Sequence, residues 1–203
     1  MLKPSLEEVK ALAKQYNTIP VFYEFSADNQ TPLNIYAALS KDSRNSFILE
    51  SVSNGVQWDR YSFVGVSPKE EICITGNTAE IRTGDKIETK EVEQPIAFLK
   101  ERMAAYRSPV LEGAPNFTGG LIGYFGYDTV RYMEKKLTHV PEDDIHMPDC
   151  HLFLYEELLA YDHLTSNGIV ILNLHTDGDL GAQYAAAQWR AEELADIVRH
   201  YNP

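Results

Sequence analysis

Short strand-like segments separated by turn signals constrain the fold of this chain more than any other sequence feature. Beyond Val66, alternating apolar and polar runs are interrupted by Thr75-Gly76-Asn77 and by Thr83-Gly84-Asp85. Turns of this composition are typical of β-hairpins. Two more strands are predicted just before them, at residues 46–52 and 61–66. Consecutive strands of this kind predict an antiparallel meander, because parallel strands need a long crossover between them.

Helical segments flank these strands. Ser5 and Glu8 have the spacing of a capping box, and the apolar repeat behind them predicts a first helix that ends at about Tyr16. A strand is predicted at residues 19–25. Thr31-Pro32 has the form of an N-cap residue followed by proline at the first helical position. The second helix is expected to turn Leu33, Tyr36 and Ala37 inward.

Two more helices are predicted further along the chain. One begins at Pro95, and a long amphipathic helix covers residues 180–201, where apolar residues recur in steps of three and four. The third helix is expected to carry Ile96, Leu99, Met103 and Tyr106 on one face. With antiparallel strands between groups of helices and no βαβ rhythm, the fold class is predicted to be α+β.

The second half of the chain contains a glycine-rich stretch. Residues 117–127 hold four glycines among bulky apolar residues, and their spacing matches neither a P-loop nor a dinucleotide fingerprint. They are predicted to form a buried strand that another backbone approaches closely. Residues 151–163 and 169–175 are predicted strands joined by a hairpin turn at Asn167-Gly168.

Composition limits the classes of function. The 203 residues suit one large domain or two small ones, and a formal charge of −12 argues against nucleic-acid binding, which needs a clustered basic face. No apolar run approaches a membrane span and the first residues lack a signal core, so a cytoplasmic protein is expected. Cys73 and Cys150 are expected to be reduced and buried.

Catalytic signals are weak throughout the sequence. The six histidines fit neither an HExxH nor a Cys/His zinc pattern, and no serine lies in a nucleophile elbow. Glu156 and Glu157 are adjacent in a predicted strand, so their side chains are expected to point to opposite faces. No catalytic residue and no metal ligand is therefore assigned.

Two polar positions near strand ends are candidates for binding a small zwitterion. Glu50 can accept from an ammonium group and Ser51 can donate to a carboxylate, although a surface glutamate beside a turn serine is the simpler interpretation. Arg60 can pair with a carboxylate, either that of a ligand or that of Glu50, and a structural ion pair is an equal alternative.

Taken together and in order, four sequence blocks resemble the amino-terminal domain of anthranilate synthase component I. The resemblance covers nearly the whole chain, and four blocks in register are specific where single blocks are weak. The blocks are residues 19–24 with Thr31-Pro32-Leu33, residues 47–52 with 58–65, residues 119–128 with Val130-Arg131-Tyr132, and Met147-Pro148-Asp149 with Tyr161-Asp162-His163.

The resemblance implies a layered sandwich of antiparallel sheets flanked by helices, with strands from both halves of the longer chain interwoven. It also implies a lyase reaction in tryptophan biosynthesis, in which chorismate and ammonia give anthranilate and pyruvate. A glutamine amidotransferase subunit supplies the ammonia. Mg²⁺ and the chorismate-binding residues belong to a carboxy-terminal catalytic half, which is expected to be absent from residues 1–203.

The resemblance also carries over a feedback site. It implies that Leu49, Glu50 and Ser51 bind the allosteric inhibitor L-tryptophan, with Arg60 in the same pocket and the remaining contacts supplied by the catalytic half. Residues 1–203 are thus expected to be a regulatory domain without catalytic activity. The alternatives are the corresponding part of aminodeoxychorismate synthase component I, or a free-standing amino-acid-binding module.

Overall fold

The computed structural model describes residues 1–50, 60–134, 136–137 and 142–202. Ten strands and four α-helices lie within them. The strands are β1 (Thr18–Ser26), β2 (Ser46–Leu49), β3 (Tyr61–Val66), β4 (Glu70–Thr75), β5 (Thr78–Thr83), β6 (Lys86–Glu91), β7 (Gly120–Phe125), β8 (Cys150–Tyr155), β9 (Glu157–Asp162) and β10 (Asn167–His175). The α-helices are α1 (Leu6–Leu12), α2 (Pro32–Leu39), α3 (Pro95–Ala104) and α4 (Leu180–Arg199), and a 3₁₀ helix spans Tyr127–Tyr132.

The chain divides into two compact units. Unit 1 comprises Met1–Pro68, Tyr106–Gly119 and Glu156–Pro203, and unit 2 comprises Lys69–Ala105 and Gly120–Tyr155. Each unit contains one five-stranded antiparallel sheet. The predicted α+β class, with antiparallel sheets flanked by helices, is therefore confirmed.

Unit 1 is built on the first sheet, whose strand order is β1-β10-β9-β3-β2. Helix α4 crosses β10 and β1, α2 packs on β3 and on α4, and α1 packs on α4. Alternate residues of the strands, among them Val21, Val170 and Leu159, meet Ala191 and Leu194 of α4 in one buried core. The inward-facing residues of the strands, with period two, and the apolar stripe of α4 are thus buried against each other. This burial of apolar surface is the main force that holds α4 on the sheet.

Unit 2 is built on the second sheet, whose strand order is β6-β5-β4-β8-β7. Helix α3 contributes Leu99 and Phe98 to its core, against residues of β4, β5 and β8. The predicted meander β4-β5-β6 is confirmed. Gly76 and Gly84 occupy its two turns with φ of +57°, the left-handed region that glycine adopts without a steric penalty.

Local signals located several boundaries correctly. Ser5 accepts from the Glu8 amide and Glu8 bonds back to the Ser5 amide, which completes the capping box. Thr31 accepts from the Asn34 amide at 3.2 Å, as its predicted N-cap position requires. Helix α1 ends at Leu12 instead of Tyr16, because its last turn tightens into shorter-range bonds such as Lys14 N–H to the Ala11 carbonyl.

The predicted inward face of α2 is right at Tyr36, which packs against the core, and wrong at Leu33. Leu33 is 61% exposed, and the buried residues are Pro32, Ile35 and Ala38. Two sets of apolar residues have helical spacing in this segment, and contacts with α4 and β3 select the second set. Tyr106 likewise lies beyond the end of α3.

The single strand predicted at residues 151–163 is two strands. It breaks at Glu156, so that β8 belongs to the second sheet and β9 to the first. Glu156 and Glu157 are therefore not adjacent within one strand; Glu156 bonds to His175 at 2.9 Å and Glu157 to Arg190.

Two glycine-based predictions also need correction. The turn between β9 and β10 consists of residues 163–166, and Asn167 and Gly168 already pair within the hairpin. The strand predicted as buried at residues 117–127 is β7, an edge strand whose Phe125 is 54% exposed. The expected close approach is confirmed, because a side chain at Gly123 would collide with the His151 carbonyl group and the Leu152 Cα.

Candidate functional site

The candidate residues of the sequence lie at one end of the first sheet. Leu49 is the last residue of β2 and pairs with Phe63, Glu50 follows it and is exposed, and Arg60 directly precedes β3. Because β2 and β3 are antiparallel, the end of one lies beside the start of the other. We call this position, defined by Leu49, Glu50 and Arg60, the Arg60 end. Ser51, the fourth predicted site residue, lies outside the described residues.

Arg60 forms a two-bond ion pair with Asp162 of β9. Its Nε and Nη2 donate to the two carboxylate oxygens at 3.0 and 2.6 Å. The Arg60 side chain is 47% exposed, whereas that of Asp162 is 2% exposed. Of the partners considered for Arg60, the structural ion pair is the one the structure shows.

The electrostatics of this pair keep both groups charged. Burial of Asp162 tends to raise its pKa, but hydrogen bonds from Arg60 and from the Leu164 amide outweigh burial, and the pKa lies below its ordinary value. The bond to Asp162 in turn raises the pKa of Arg60. A buried carboxylate is stable in this position only because its charge is paired and hydrogen-bonded.

Backbone contacts fix the position of the pair. The β3–β9 register places Tyr61 opposite Asp162, and the His163 amide donates to the Arg60 carbonyl at 2.9 Å. Asp162 begins the β9–β10 turn, where its side chain accepts from the Leu164 amide at 3.0 Å. The guanidinium group also lies over the Tyr61 ring, 4.9 Å from its centre, which adds a cation–π contact.

A serine and a histidine lie beside this pair. The Ser62 hydroxyl and His163 Nε2 are 2.8 Å apart, a distance seen in nucleophile–base pairs. Ser62 is only 1% exposed, so its hydroxyl is closed to a substrate. The bond is therefore structural and joins β3 to the β9–β10 turn.

Sequence reasoning did not assign Asp162 to the site. The residue falls within the block Tyr161-Asp162-His163, but its partner Arg60 is 102 residues away. Only the pairing of β3 with β9 brings the two together, and no local spacing carries that information.

Unit 1 also contains a groove of about 710 Å³ at the outer edge of β1, walled by the first residues of the chain and by residues 111–115. Lys3 pairs with Phe22 of β1 at this edge. Charged side chains of both signs line it, with Lys3 opposed by Glu8, Glu24 and Glu112. Of the predicted site residues that the structure describes, Leu49, Glu50 and Arg60, none contributes to the groove.

The described residues offer neither a metal-binding cluster nor a membrane-spanning helix. They contain no group of three or more His, Cys, Asp or Glu side chains placed to hold a metal ion. None of their helices is both long and apolar enough to cross a membrane.

Comparison with known proteins identifies the family. Residues 53–200 match the family described as chorismate binding enzyme. The chain belongs to the chorismate binding enzyme family. The match includes both members of the Arg60–Asp162 pair, and Leu49 and Glu50 lie just before it.

Individual members of the chorismate binding enzyme family are similar over almost the whole chain. Anthranilate synthase component 1 of Acetivibrio thermocellus is 38% identical over 194 residues, which are 96% of this chain and 39% of that protein. The same component of Pseudomonas aeruginosa strain PAO1 is 37% identical over 196 residues, 95% of this chain and again 39% of that protein. The chain thus spans about two fifths of the length of these relatives, and the predicted resemblance is confirmed.

A solved structure of the same kind supports the fold. The chain is similar to anthranilate synthase component I from Streptococcus pneumoniae TIGR4, with a TM-score of 0.50 and 27% sequence identity, over 82% of this chain and 35% of that one. Both comparisons therefore concern a part of a longer enzyme.

Proposed function

We propose that this chain is the tryptophan-sensing, amino-terminal part of an anthranilate synthase component I. In the proposed enzyme, chorismate and ammonia are converted to anthranilate and pyruvate in the cytoplasm, and a glutamine amidotransferase subunit delivers the ammonia. The catalytic residues and the Mg²⁺ site belong to a catalytic half outside residues 1–203. The relatives that match the chain bear the anthranilate synthase name, which favours this branch over aminodeoxychorismate synthase.

The observation that carries the sensing role is that two groups of opposite charge, Glu50 and Arg60, lie at the same strand end. Glu50 is exposed and suits an ammonium group, and Arg60 offers a half-exposed guanidinium group to a carboxylate. The Arg60 guanidinium group lies over the Tyr61 ring, and the rings of Tyr61, Phe63 and Phe117 follow one another at centre distances of 6.2 and 5.5 Å. A zwitterion with an aromatic side chain matches this combination of charges and rings.

Feedback control follows if tryptophan bridges this site and the catalytic half. Tryptophan would then favour an inactive arrangement, with a coupling free energy of about 1–3 kcal/mol. Linkage makes the effect reciprocal, so chorismate should weaken tryptophan binding by the same factor.

The test is Ser51→Ala in a protein that joins this chain to its catalytic half. The variant should keep its uninhibited turnover and lose most of its inhibition by tryptophan, measured as the tryptophan concentration that halves anthranilate formation. Equal inhibition of variant and parent would refute the sensing role. By itself, the chain should give no calorimetric signal with micromolar tryptophan, because part of the pocket comes from the other half.

A free-standing amino-acid-binding module is the alternative function. It predicts a complete pocket within residues 1–203, and a clean micromolar titration of the isolated chain would favour it.

A further inference from the structure

Within the described residues, the guanidinium group of Arg60 forms hydrogen bonds on one of its two edges. Nε and Nη2 face Asp162, and one face of the group lies over Tyr61. Among the described residues, no side chain or backbone group bonds to Nη1. A guanidinium group carries five N–H donors in a rigid plane and can therefore hold a second carboxylate on the remaining edge.

Another arginine of unit 1, Arg190, holds two carboxylates with one guanidinium group. Arg190 donates from Nε and Nη2 to Glu157 at 2.9 and 2.7 Å, the same side-on arrangement that Arg60 makes with Asp162. Its Nη1 then donates to a second carboxylate, that of Glu193, at 2.6 Å. Arg60 has the first carboxylate, and the described part of the chain supplies no second one.

Side-on pairing alone does not mark a binding site. Arg102 of unit 2 pairs in the same way with Glu70, at 2.9 and 2.8 Å, and its side chain is only 24% exposed. Arg60 is half-exposed and lies at the same strand end as Glu50. The free edge of Arg60 is thus accessible and accompanied by a group of opposite charge.

We propose that Asp162 is a positioning residue that fixes Arg60 so that its free Nη1 edge binds the carboxylate of an α-amino acid. This inference rests on the proposed function and adds to it the residue that orients the carboxylate receptor. Asp162 is held in turn by the Leu164 amide and by β3–β9 pairing, so its position is set by the fold. Arg60 is already ordered before a ligand arrives, and the rotamer freedom of its long side chain is not lost on binding.

Asp162 also has an opposing electrostatic effect. Its negative charge partly neutralises Arg60 and repels a ligand carboxylate, so removing it strengthens the long-range attraction. Water weakens that repulsion because Arg60 is half-exposed, and ordering should therefore outweigh it. The two effects have opposite signs, so a binding measurement separates them.

The experiment follows tryptophan binding to the ¹⁵N-labelled 203-residue chain by NMR at millimolar ligand. Four proteins are compared: the parent, Asp162→Asn, Arg60→Ala and the double variant. Asp162→Asn should bind L-tryptophan about three- to tenfold more weakly, the factor expected when one long side chain must be ordered on binding. In the Arg60→Ala background the same substitution should have no further effect, because nothing remains to be positioned.

Two controls distinguish a loss of Arg60 positioning from a general loss of stability. Glu157→Gln breaks the other side-on pair of β9 and should leave tryptophan binding unchanged, whatever it does to stability. Tryptamine lacks the carboxylate, so its binding should not respond to Asp162→Asn.

The proposal is overturned if Asp162→Asn binds tryptophan as tightly as the parent or more tightly. A further loss in the Arg60→Ala background, or an equal loss with tryptamine, would likewise assign Asp162 a purely structural role. If the parent itself does not bind millimolar tryptophan, this inference is overturned, and Ser51→Ala in the protein joined to its catalytic half decides the sensing role separately.

Discussion

Replacing Gly65 by alanine tests the packing that positions β2 against β3. Gly65 pairs with Phe47, and the aromatic ring of Phe47 lies across the glycine. A Cβ atom added at Gly65 would come within 2.8 Å of the ring Cζ and 2.9 Å of Cδ1, and nearer still to Cε1. Since carbon atoms in contact are about 3.5–4.0 Å apart, the nearest ring atom must retreat by roughly 1.5 Å or more.

The size of the effect follows from two opposing contributions. Overpacking of this kind costs about 1–3 kcal/mol, and replacing a glycine within a strand returns about 0.5–1 kcal/mol of backbone entropy. Because β2 is a four-residue edge strand, Phe47 can move partway out. The expected net loss is about 1–2 kcal/mol, or about 2–8 °C in Tm for a chain of this length.

Thermal unfolding followed by circular dichroism measures this loss. The matched control is the same substitution in a Phe47→Leu background, where the smaller side chain leaves room for the new methyl group. In a double-mutant cycle, Gly65→Ala should cost about 1 kcal/mol less in the Phe47→Leu background than in the parent. If Gly65→Ala raises the Tm of the parent, the ring does not cover the glycine and the reasoning is wrong.

Three further predictions concern other named contacts. Ser5→Ala removes the cap of α1 and should lower the free energy of unfolding by about 1 kcal/mol in urea denaturation; an unchanged value would show that the capping box is unimportant. Asp149→Ala removes the acceptor shared by the Gly76 amide and the Tyr132 hydroxyl, both at 2.6 Å, and should cost about 2 kcal/mol, with Tyr132→Phe costing about half as much; equal losses would contradict the shared acceptor. Asp162 has a pKa below its ordinary value, so its stabilising effect is complete above about pH 4 and is lost as pH falls through the lower, folded-state pKa. The Asp162→Asn variant should therefore lose less stability than the parent in that acid range, and parallel curves would count against the ion pair.

Local signals predicted those parts of the fold whose contacts are close in sequence. Ser5 and Glu8, or Thr31 and Asn34, are three residues apart, so the sequence alone contains both partners of each cap. The turns at Gly76 and Gly84 are equally local, because a two-residue hairpin sets its own register.

Contacts between distant segments account for the errors. The apolar run around Glu156 looks continuous, and it breaks because the Glu156 carbonyl receives both the backbone and the side-chain N–H of Asn173 where the chain passes between sheets. Gly168 was taken for a turn glycine, but it is a strand residue covered by the ring of Phe25. Asn173 and Phe25, the residues that decide these two positions, are both distant in sequence from the segments they affect.

The residues of the candidate site also differ in whether the sequence could predict them. Glu50 and Arg60 are candidates by residue type and position, the family resemblance adds Leu49 and the ligand, and the structure places all three residues at one end of the first sheet. Asp162 required the β3–β9 register. Tryptophan binding itself stays a prediction, and Ser51 lies outside the described residues.

The most direct test of the sensing role is a map of backbone amide shifts in the 203-residue chain as L-tryptophan is raised to millimolar concentration. The proposed site predicts saturable shifts at Leu49, Glu50 and Arg60, with the β4–β5 turn at Gly76 unmoved. Shifts confined to the groove beside Lys3, or no saturable shift at all, would contradict it.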